Sequence, residues 1–281
     1  MKTQTSSTRL RRAFSLIEVL VVIALLSFIL IGLFAMFSQT QRAYTLGTTQ
    51  VDVLEGGRAV SELITRDASQ IRPSQVSNCV NFYMQVPLYT PLFQNLDANT
   101  PQVSRSNLFQ NVYFLTKENQ TWTGYGYFVD QPDSGIGTLY RYETNSFTRQ
   151  SPEDLFWRFF LDSNNNIETN MNRILDNVVH FRVRAFDPDG LQITNDFPNG
   201  VEVKYSTDVV PGQIGFYWMS NSVVPASVEF ELGIMEQRTA ERAKSIANAA
   251  RRREFLTNQV SKVHVFRWRV PIRNVDPTPY Q

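Results

Sequence analysis

From Phe14 to Phe37 the chain is almost wholly apolar, FSLIEVLVVIALLSFILIGLFAMF, and this run dictates the rest of the reading. As a helix it spans roughly 36 Å at 1.5 Å per residue, enough for the hydrocarbon core of a bilayer. Residues 1–13 are polar and basic, with Lys2, Arg9, Arg11 and Arg12 and no acid. A positive flank on the N-terminal side predicts a cytoplasmic N-terminus and a C-terminal body outside. A secretory signal peptide would close on a small-residue cleavage site. Here the run continues into Ser38-Gln39-Thr40-Gln41-Arg42 with no break in helical character.

Glu18 breaks the apolar pattern. An ionised carboxylate inside a spanning helix costs about 2.5–3.5 kcal/mol on insertion scales. Either Glu18 snorkels to the nearby interface, or it has a dedicated cationic partner. Cleavage after Ala13 would free the amine of Phe14, one helical turn from Glu18. Two such helices, offset along an axis, would pair one carboxylate with the next amine.

The string Ala13-Phe14-Ser15-Leu16-Ile17-Glu18-Val19-Leu20 resembles the type IV prepilin cleavage and methylation motif. The resemblance implies that an inner-membrane aspartyl peptidase cuts between Ala13 and Phe14 and N-methylates Phe14. It also implies that Glu18, at the fifth mature position, guides docking into a filament. Ala13 stands where the family usually has Gly; Ala is small enough for a peptidase subsite, so processing is expected.

Beyond Phe37 the helix is expected to continue to Arg72, where Pro73 stops it. Val53, Val60, Ile64 and Ile71 recur at spacings of seven, four and seven, one helical stripe suited to packing on a sheet. Glu62, Arg66 and Asp67 are then expected to face elsewhere. Gly56-Gly57 interrupts the stripe; each Gly weakens a helix by about 1 kcal/mol relative to Ala, and a kink is expected there.

After Pro73 the texture changes to short alternating runs rich in the chain's 20 Phe and 11 Tyr, separated by Asn, Pro, Gly and Ser. Strands are expected at Val80–Val86, Asn111–Thr116, Tyr125–Val129, Thr138–Glu143, Val178–Phe186, Val201–Tyr205, Ile214–Trp218, Ser227–Ile234 and Lys262–Val270. In the clearest of these, Val179, Phe181, Val183 and Ala185 make a core face, and His180, Arg182 and Arg184 a wet face. Asp187-Pro188-Asp189-Gly190 reads as a tight turn.

The segment 236–258 turns helical again. Ala243, Ile246, Ala247 and Ala250 give a weakly apolar face, and Arg251-Arg252-Arg253 a basic cluster. It reads as a solvated excursion between two paired strands, or as a docking surface for an acidic neighbouring subunit. An Ala face argues against membrane-surface binding.

Chemistry finds little to use. Lys and Arg (27) balance Asp and Glu (26), so no field suggests a nucleic-acid partner. Cys79, the single cysteine, excludes an intrachain disulfide and a Cys-based metal cluster and reads as a small buried hydrophobe. His180 is expected on an exposed strand face and His264, alternating with Phe266 and Trp268, in the core. Asp162–Glu168 echoes the start of a calcium loop but lacks the turn glycine and a Glu at the twelfth position, so an Asn-rich turn is expected. No phosphate loop, dinucleotide fingerprint, zinc spacing or nucleophile motif occurs. The expectation is no metal, no cofactor and no enzyme.

The fold class is therefore α+β and pilin-like: a long N-terminal helix packed by its second half on an antiparallel sheet. Residues 1–13 are read as a cleaved leader, 14–37 as a transmembrane helix, 38–72 as its periplasmic continuation and 73–281 as a β-rich body. Gly57-Arg58-Ala59-Val60 through Leu63-Ile64-Thr65-Arg66-Asp67, then Ile174–Val178, Asp187–Gly190 and Val224–Phe230, resemble J-type minor pseudopilins of type II secretion. W-type minor pilins of type IV pili share the Gly-Arg-Ala and Arg-Asp pattern. Either resemblance implies an inner-membrane prepilin with a periplasmic body. Its partners would be other pseudopilins or pilins, the prepilin peptidase, the inner-membrane assembly platform, the lipid bilayer and secreted cargo. A third reading, from another class, is an uncleaved single-pass periplasmic enzyme or sensor.

Overall fold

The computed structural model describes residues 15–74, 76, 79–87, 89, 91–95, 104–130, 132–146, 152–165, 171–197, 200–205, 214–273 and 275–280. The chain divides into two compact units, Met1–Thr49 and Gln50–Gln281. The first is described as helix. It belongs to α1, Leu16–Ala68, which supplies the helix of the second unit as well.

The second unit is built on a nine-stranded antiparallel sheet of order β11-β10-β7-β6-β5-β4-β1-β9-β8. Its strands are β1 (Val80–Gln85), β4 (Asn111–Glu118), β5 (Thr121–Val129), β6 (Gly137–Ser146), β7 (Met171–Phe186), β8 (Val201–Tyr205), β9 (Ile214–Ser220), β10 (Ser227–Met235) and β11 (Val263–Pro271). A separate ribbon pairs β2 (Leu92–Asn95) with β3 (Ser104–Asn107). Three further helices follow: α2 (Glu153–Asn165), α3 (Gln237–Lys244) and α4 (Ala249–Thr257).

Side chains alternate across a pleated strand, and here both faces of the sheet centre are covered. On one face, Val53, Val60, Ile64 and Ala68 of α1 pack with Phe82, Phe114, Tyr127, Leu139, Phe181 and Phe230. On the other, Leu155, Phe156 and Phe159 of α2 pack with Tyr83, Tyr113, Leu115 and Tyr142. Gly126 permits this contact, since a Cβ there would lie 2.2 Å from the Phe159 ring. The α+β, pilin-like architecture read from the sequence is the one observed.

Local boundaries differ from expectation for identifiable reasons. The helix ends at Ala68 rather than Arg72. Pro73 disfavours helical geometry at the residue before it. The chain has already switched to sheet pairing there: Ile71 bridges Thr116, and the Arg72 N–H donates to the Leu115 carbonyl at 3.1 Å. The helix is unbroken through Gly56-Gly57, and what the glycines supply is close approach. A Cβ on Gly57 would lie 2.2 Å from the Phe266 ring, and one on Gly56 3.2 Å from Leu175 Cδ1.

The excursion before β11 is two helices, not one. The chain breaks at Ser245–Asn248, and the Asn248 side chain caps α4 by accepting from the Arg251 N–H at 3.1 Å. The buried residues of α3 and α4 are Ala240, Ala243 and Leu256, while Ala247 and Ala250 are exposed. The turn expected at Asp162 is also helical, because α2 runs through Asn165. Residues 166–168 of that segment lie outside the described residues. Asp187–Gly190 is the tight turn expected: the Gly190 N–H donates to the Asp187 carbonyl at 3.0 Å, with Gly190 at φ +81°.

Candidate functional site

Ser15 and Glu18 open α1 with the Ser-x-x-Glu spacing of a capping box. The Glu18 N–H donates to the Ser15 carbonyl at 3.0 Å and lies 3.4 Å from Ser15 Oγ. A carboxylate in a first helical turn also complements the positive end of the helix dipole. The residue that caps the helix is thus Ser15, through its hydroxyl and carbonyl, and the spacing that places it is legible in the sequence. Ala13 and Phe14, the other two residues singled out for processing, lie outside the described residues.

The helix that follows is apolar around its whole circumference. Leu16 is 85% exposed and Phe28 76%, and the run stays exposed through Phe37. Its most apolar eighteen residues have a mean hydropathy of 3.1 and none is buried. Length and composition suffice to cross a membrane. The hydroxyls along it bond to the helix's own backbone: Ser27 Oγ donates to the Ile23 carbonyl at 2.8 Å, Ser38 Oγ to Ala35 at 2.8 Å and Thr40 Oγ1 to Met36 at 3.0 Å. Such back-bonding lets a hydroxyl sit on an apolar surface without an unmet donor.

The prokaryotic N-terminal methylation motif matches residues 8–34, which takes in Ala13, Phe14, Glu18 and most of this apolar run. The chain is type IV prepilin-like. No curated protein and no solved structure gave a match.

In the body of this prepilin-like chain, the helix is held by a buried polar anchor that the sequence reading placed wrongly. Asp67 was expected to face away from the sheet; it is 2% exposed. Its Oδ2 accepts from the Tyr127 hydroxyl and from Arg141 Nε, each at 2.6 Å. Arg141 Nη1 reaches Glu143 Oε2 at 2.5 Å, and its guanidinium lies 4.5 Å from the centre of the Tyr125 ring. A carboxylate this deep is stable only because it is paired and hydrogen-bonded. Burial, the largest cause, and then the Asp67 carboxylate push the Tyr127 hydroxyl up from its usual range.

His180 is the second correction. Expected on a wet face, it is 1% exposed. The segment 108–110 runs beside β7, so Phe109 bridges Phe181 and the Leu108 N–H donates to His180 Nδ1 at 3.0 Å. With Nδ1 accepting, Nε2 carries the proton, and it lies 3.7 Å from Glu231 Oε1. Burial depresses the His180 pKa. The His180 imidazole, with Arg184 and Arg182 behind it, holds Glu231 down to about 2. His264, expected in the core, is only partly covered, with 28% of its side chain exposed and Nε2 3.7 Å from Glu236 Oε1. It sits on an edge strand, which is flanked on one side only.

Among the described residues no group of three or more His, Cys, Asp or Glu side chains is arranged to hold a metal ion. Cys79 is buried and its thiol is pushed up by that burial, which disfavours the nucleophilic thiolate. A pocket of 310 Å³ opens between the end of α1 and the β4–β5 hairpin, lined in part by Arg72, Lys117, Glu118 and Arg273. Its lining hydroxyl, Ser69, is committed to the Arg66 carbonyl at 2.9 Å. Pilin-like proteins are typically structural subunits rather than enzymes.

Proposed function

We propose that this prepilin-like chain is a minor pseudopilin of a type II secretion pseudopilus, acting near the filament tip to prime assembly. Residues 1–13 are the leader removed by the prepilin peptidase, and cleavage between Ala13 and Phe14 leaves an N-methylated Phe14. The segment 14–37 holds the chain in the inner membrane with the body in the periplasm. Glu18 pairs with the Phe14 amine of an adjoining subunit. Partners are other pseudopilins, the inner-membrane assembly platform and secreted cargo.

The observation that carries the reading is the methylation motif at 8–34 set in register with Glu18, in the first turn of a helix whose apolar side chains are exposed. An exposed apolar cylinder is stable in lipid or against its own kind, the two environments a filament subunit moves between. The echoes of J-type minor pseudopilins favour the secretion machine. The Gly57 and Asp67 positions belong to a pattern shared with W-type minor pilins, which keeps a minor pilin of a type IV pilus as the second reading. In this chain Gly57 receives the Phe266 ring and Asp67 anchors the helix, contacts that favour neither machine over the other. The deciding experiment is gene deletion, scored for protein secretion against twitching motility and surface pili. Loss of secretion with normal motility supports the pseudopilin; the reverse supports the pilus subunit.

A further inference from the structure

The two edges of the large sheet are treated differently. At β8 the strand is five residues long, its register shifts between Lys204 and Tyr205, and outward groups of Val201 and Val203 are occupied. Val201 exchanges backbone hydrogen bonds with Phe197 at 3.0 and 3.2 Å, and the Val203 N–H donates to Asp196 Oδ1 at 2.6 Å. These are the devices by which proteins blunt a sheet edge. At the opposite edge β11 is nine residues long and pairs with β10 from Ser227↔Pro271 to Met235↔Val263 with no shift. Among the described residues no backbone hydrogen bond reaches its outer side.

The side chains across that edge form an alternating charge lattice. Register aligns Arg184 with Glu229 and Arg269 in one row, and Arg182 with Glu231 and Arg267 in the next. Both Glu229 oxygens are taken, Oε1 by Arg184 Nη1 at 2.5 Å and Oε2 by Arg267 Nη2 at 3.0 Å. Arg strands therefore flank a Glu strand, and the outermost column is cationic, with the Arg267 side chain 60% exposed. On the other face Trp268 stacks on Phe230 at 5.6 Å and Phe230 on Phe181 at 6.4 Å, so an aromatic column also ends, half-buried, at the edge.

We infer that β11 receives an added strand from a different protein, an extended segment that alternates acidic and apolar residues. Its acidic side chains continue the lattice opposite Arg267 and Arg269, and its apolar ones cover Trp268. Main-chain hydrogen bonds supply the attachment and the alternating side chains the choice of partner. A second copy of β11 is disfavoured: two-fold pairing about Arg267 sets guanidinium opposite guanidinium, and like charges directly opposed are destabilising. The inference stands on the sheet alone, so its failure leaves the pseudopilin reading untouched.

The test uses the full chain in detergent micelles and a fluorescein-labelled nine-residue peptide alternating Val and Glu, with binding read by fluorescence anisotropy. A Val–Lys peptide is the charge control. Two further Val–Glu peptides are N-methylated, one at every Val amide and one at every Glu amide, because successive amides of a strand point to opposite edges. The expected result is saturable Val–Glu binding, no Val–Lys binding, and loss with one methylated peptide but not the other. The double variant Arg267→Glu, Arg269→Glu should weaken Val–Glu binding about tenfold and admit the Val–Lys peptide. Because Arg267 also braces Glu229, that variant can misfold; the methylated pair tests the idea on the unaltered protein. Equal loss or equal retention with the two methylated peptides, equal affinity for the two charge types, or no binding of Val–Glu overturns the inference.

Discussion

The carboxylate of Asp67 on α1 and the guanidinium of Arg141 on β6 meet at 2.6 Å in the core, with the Asp67 side chain 3% and the Arg141 side chain 11% exposed. Together with the Tyr127 hydroxyl, this pair binds the last turn of the helix to the middle of the sheet. Removing Asp67 leaves the Tyr127 hydroxyl buried without its acceptor and Arg141 with Glu143 as its remaining carboxylate. Asp67→Ala is therefore expected to destabilise the body by about 3–5 kcal/mol, and Tyr127→Phe by about 1.5–3 kcal/mol. Urea unfolding of the variants measures both. A loss for Asp67→Ala below about 1 kcal/mol, the range of an exposed pair, would mean that the anchor is solvated.

Gly57 yields a test with a change of sign. Ala is a better helix former than Gly by about 1 kcal/mol, so at an exposed position Gly57→Ala would stabilise. Here the added Cβ meets the Phe266 ring at 2.2 Å, and overpacking of this kind costs about 1–3 kcal/mol. Net destabilisation is expected in the native background. With Phe266→Ala already present, Gly57→Ala should become neutral or stabilising. A four-point cycle by thermal or urea unfolding decides; additive effects would separate the two residues energetically.

Acid should weaken the body in two windows. Burial lowers the His180 pKa below its ordinary 6.5, so the unfolded chain takes up a proton that the folded one refuses. Stability then falls as pH drops below about 6.5, with a slope of at most about 1.4 kcal/mol per pH unit. Glu231, held at about 2 against an ordinary 4.5, contributes stability that is present above 4.5 and lost as pH falls toward 2. His180→Asn, which can still accept from the Leu108 N–H, should flatten the curve between pH 7 and 5. An unchanged slope in that variant assigns the upper window to another group.

Three roles for Glu18 separate by substitution. Glu18→Gln keeps a capping-box residue but removes the charge. Glu18→Leu removes both and eases insertion. If Glu18 pairs with the Phe14 amine of a neighbouring subunit, both variants should insert and be cleaved, yet recover crosslinked partners roughly tenfold less well or worse. Glu18→Asp should be intermediate, its carboxylate reaching one methylene less. Intact mass of the membrane-extracted protein should show methylated Phe14 as the first residue in each. Normal partner recovery with Glu18→Gln would refute the charge pairing, and a chain still beginning at Met1 would end the prepilin reading.

Much of the body was legible because period-2 alternation marks a strand wherever one or both faces are buried. Val178–Phe186, the clearest such run, is the C-terminal part of β7. Its N-terminal extension from Met171 was not legible: those residues are half-covered or exposed and carry no apolar alternation. The ribbon of Leu92–Asn95 and Ser104–Asn107 was missed because four polar-rich residues give too little pattern. The helix Glu153–Asn165 was missed although its Leu155, Phe156 and Phe159 fall at helical spacing: between Glu143 and Val178 the Asn-rich turn at Asp162 was the one feature expected.

By itself the sequence determined the membrane-length apolar helix, the motif around Phe14 and Glu18, the buried stripe Val53–Ile64 and the strand segments. Each is a local periodicity or a short string, set by the geometry of a single helix or strand. The tertiary structure decided the environment of the polar residues. Asp67 and His180 look like solvent-facing residues in their own elements. They are buried because Tyr127 and Arg141, sixty and more positions away, supply partners to one, and because Leu108 brings a backbone donor to the other. Burial of a polar group is stable only where distant chain meets its hydrogen bonds, and no local period encodes that meeting.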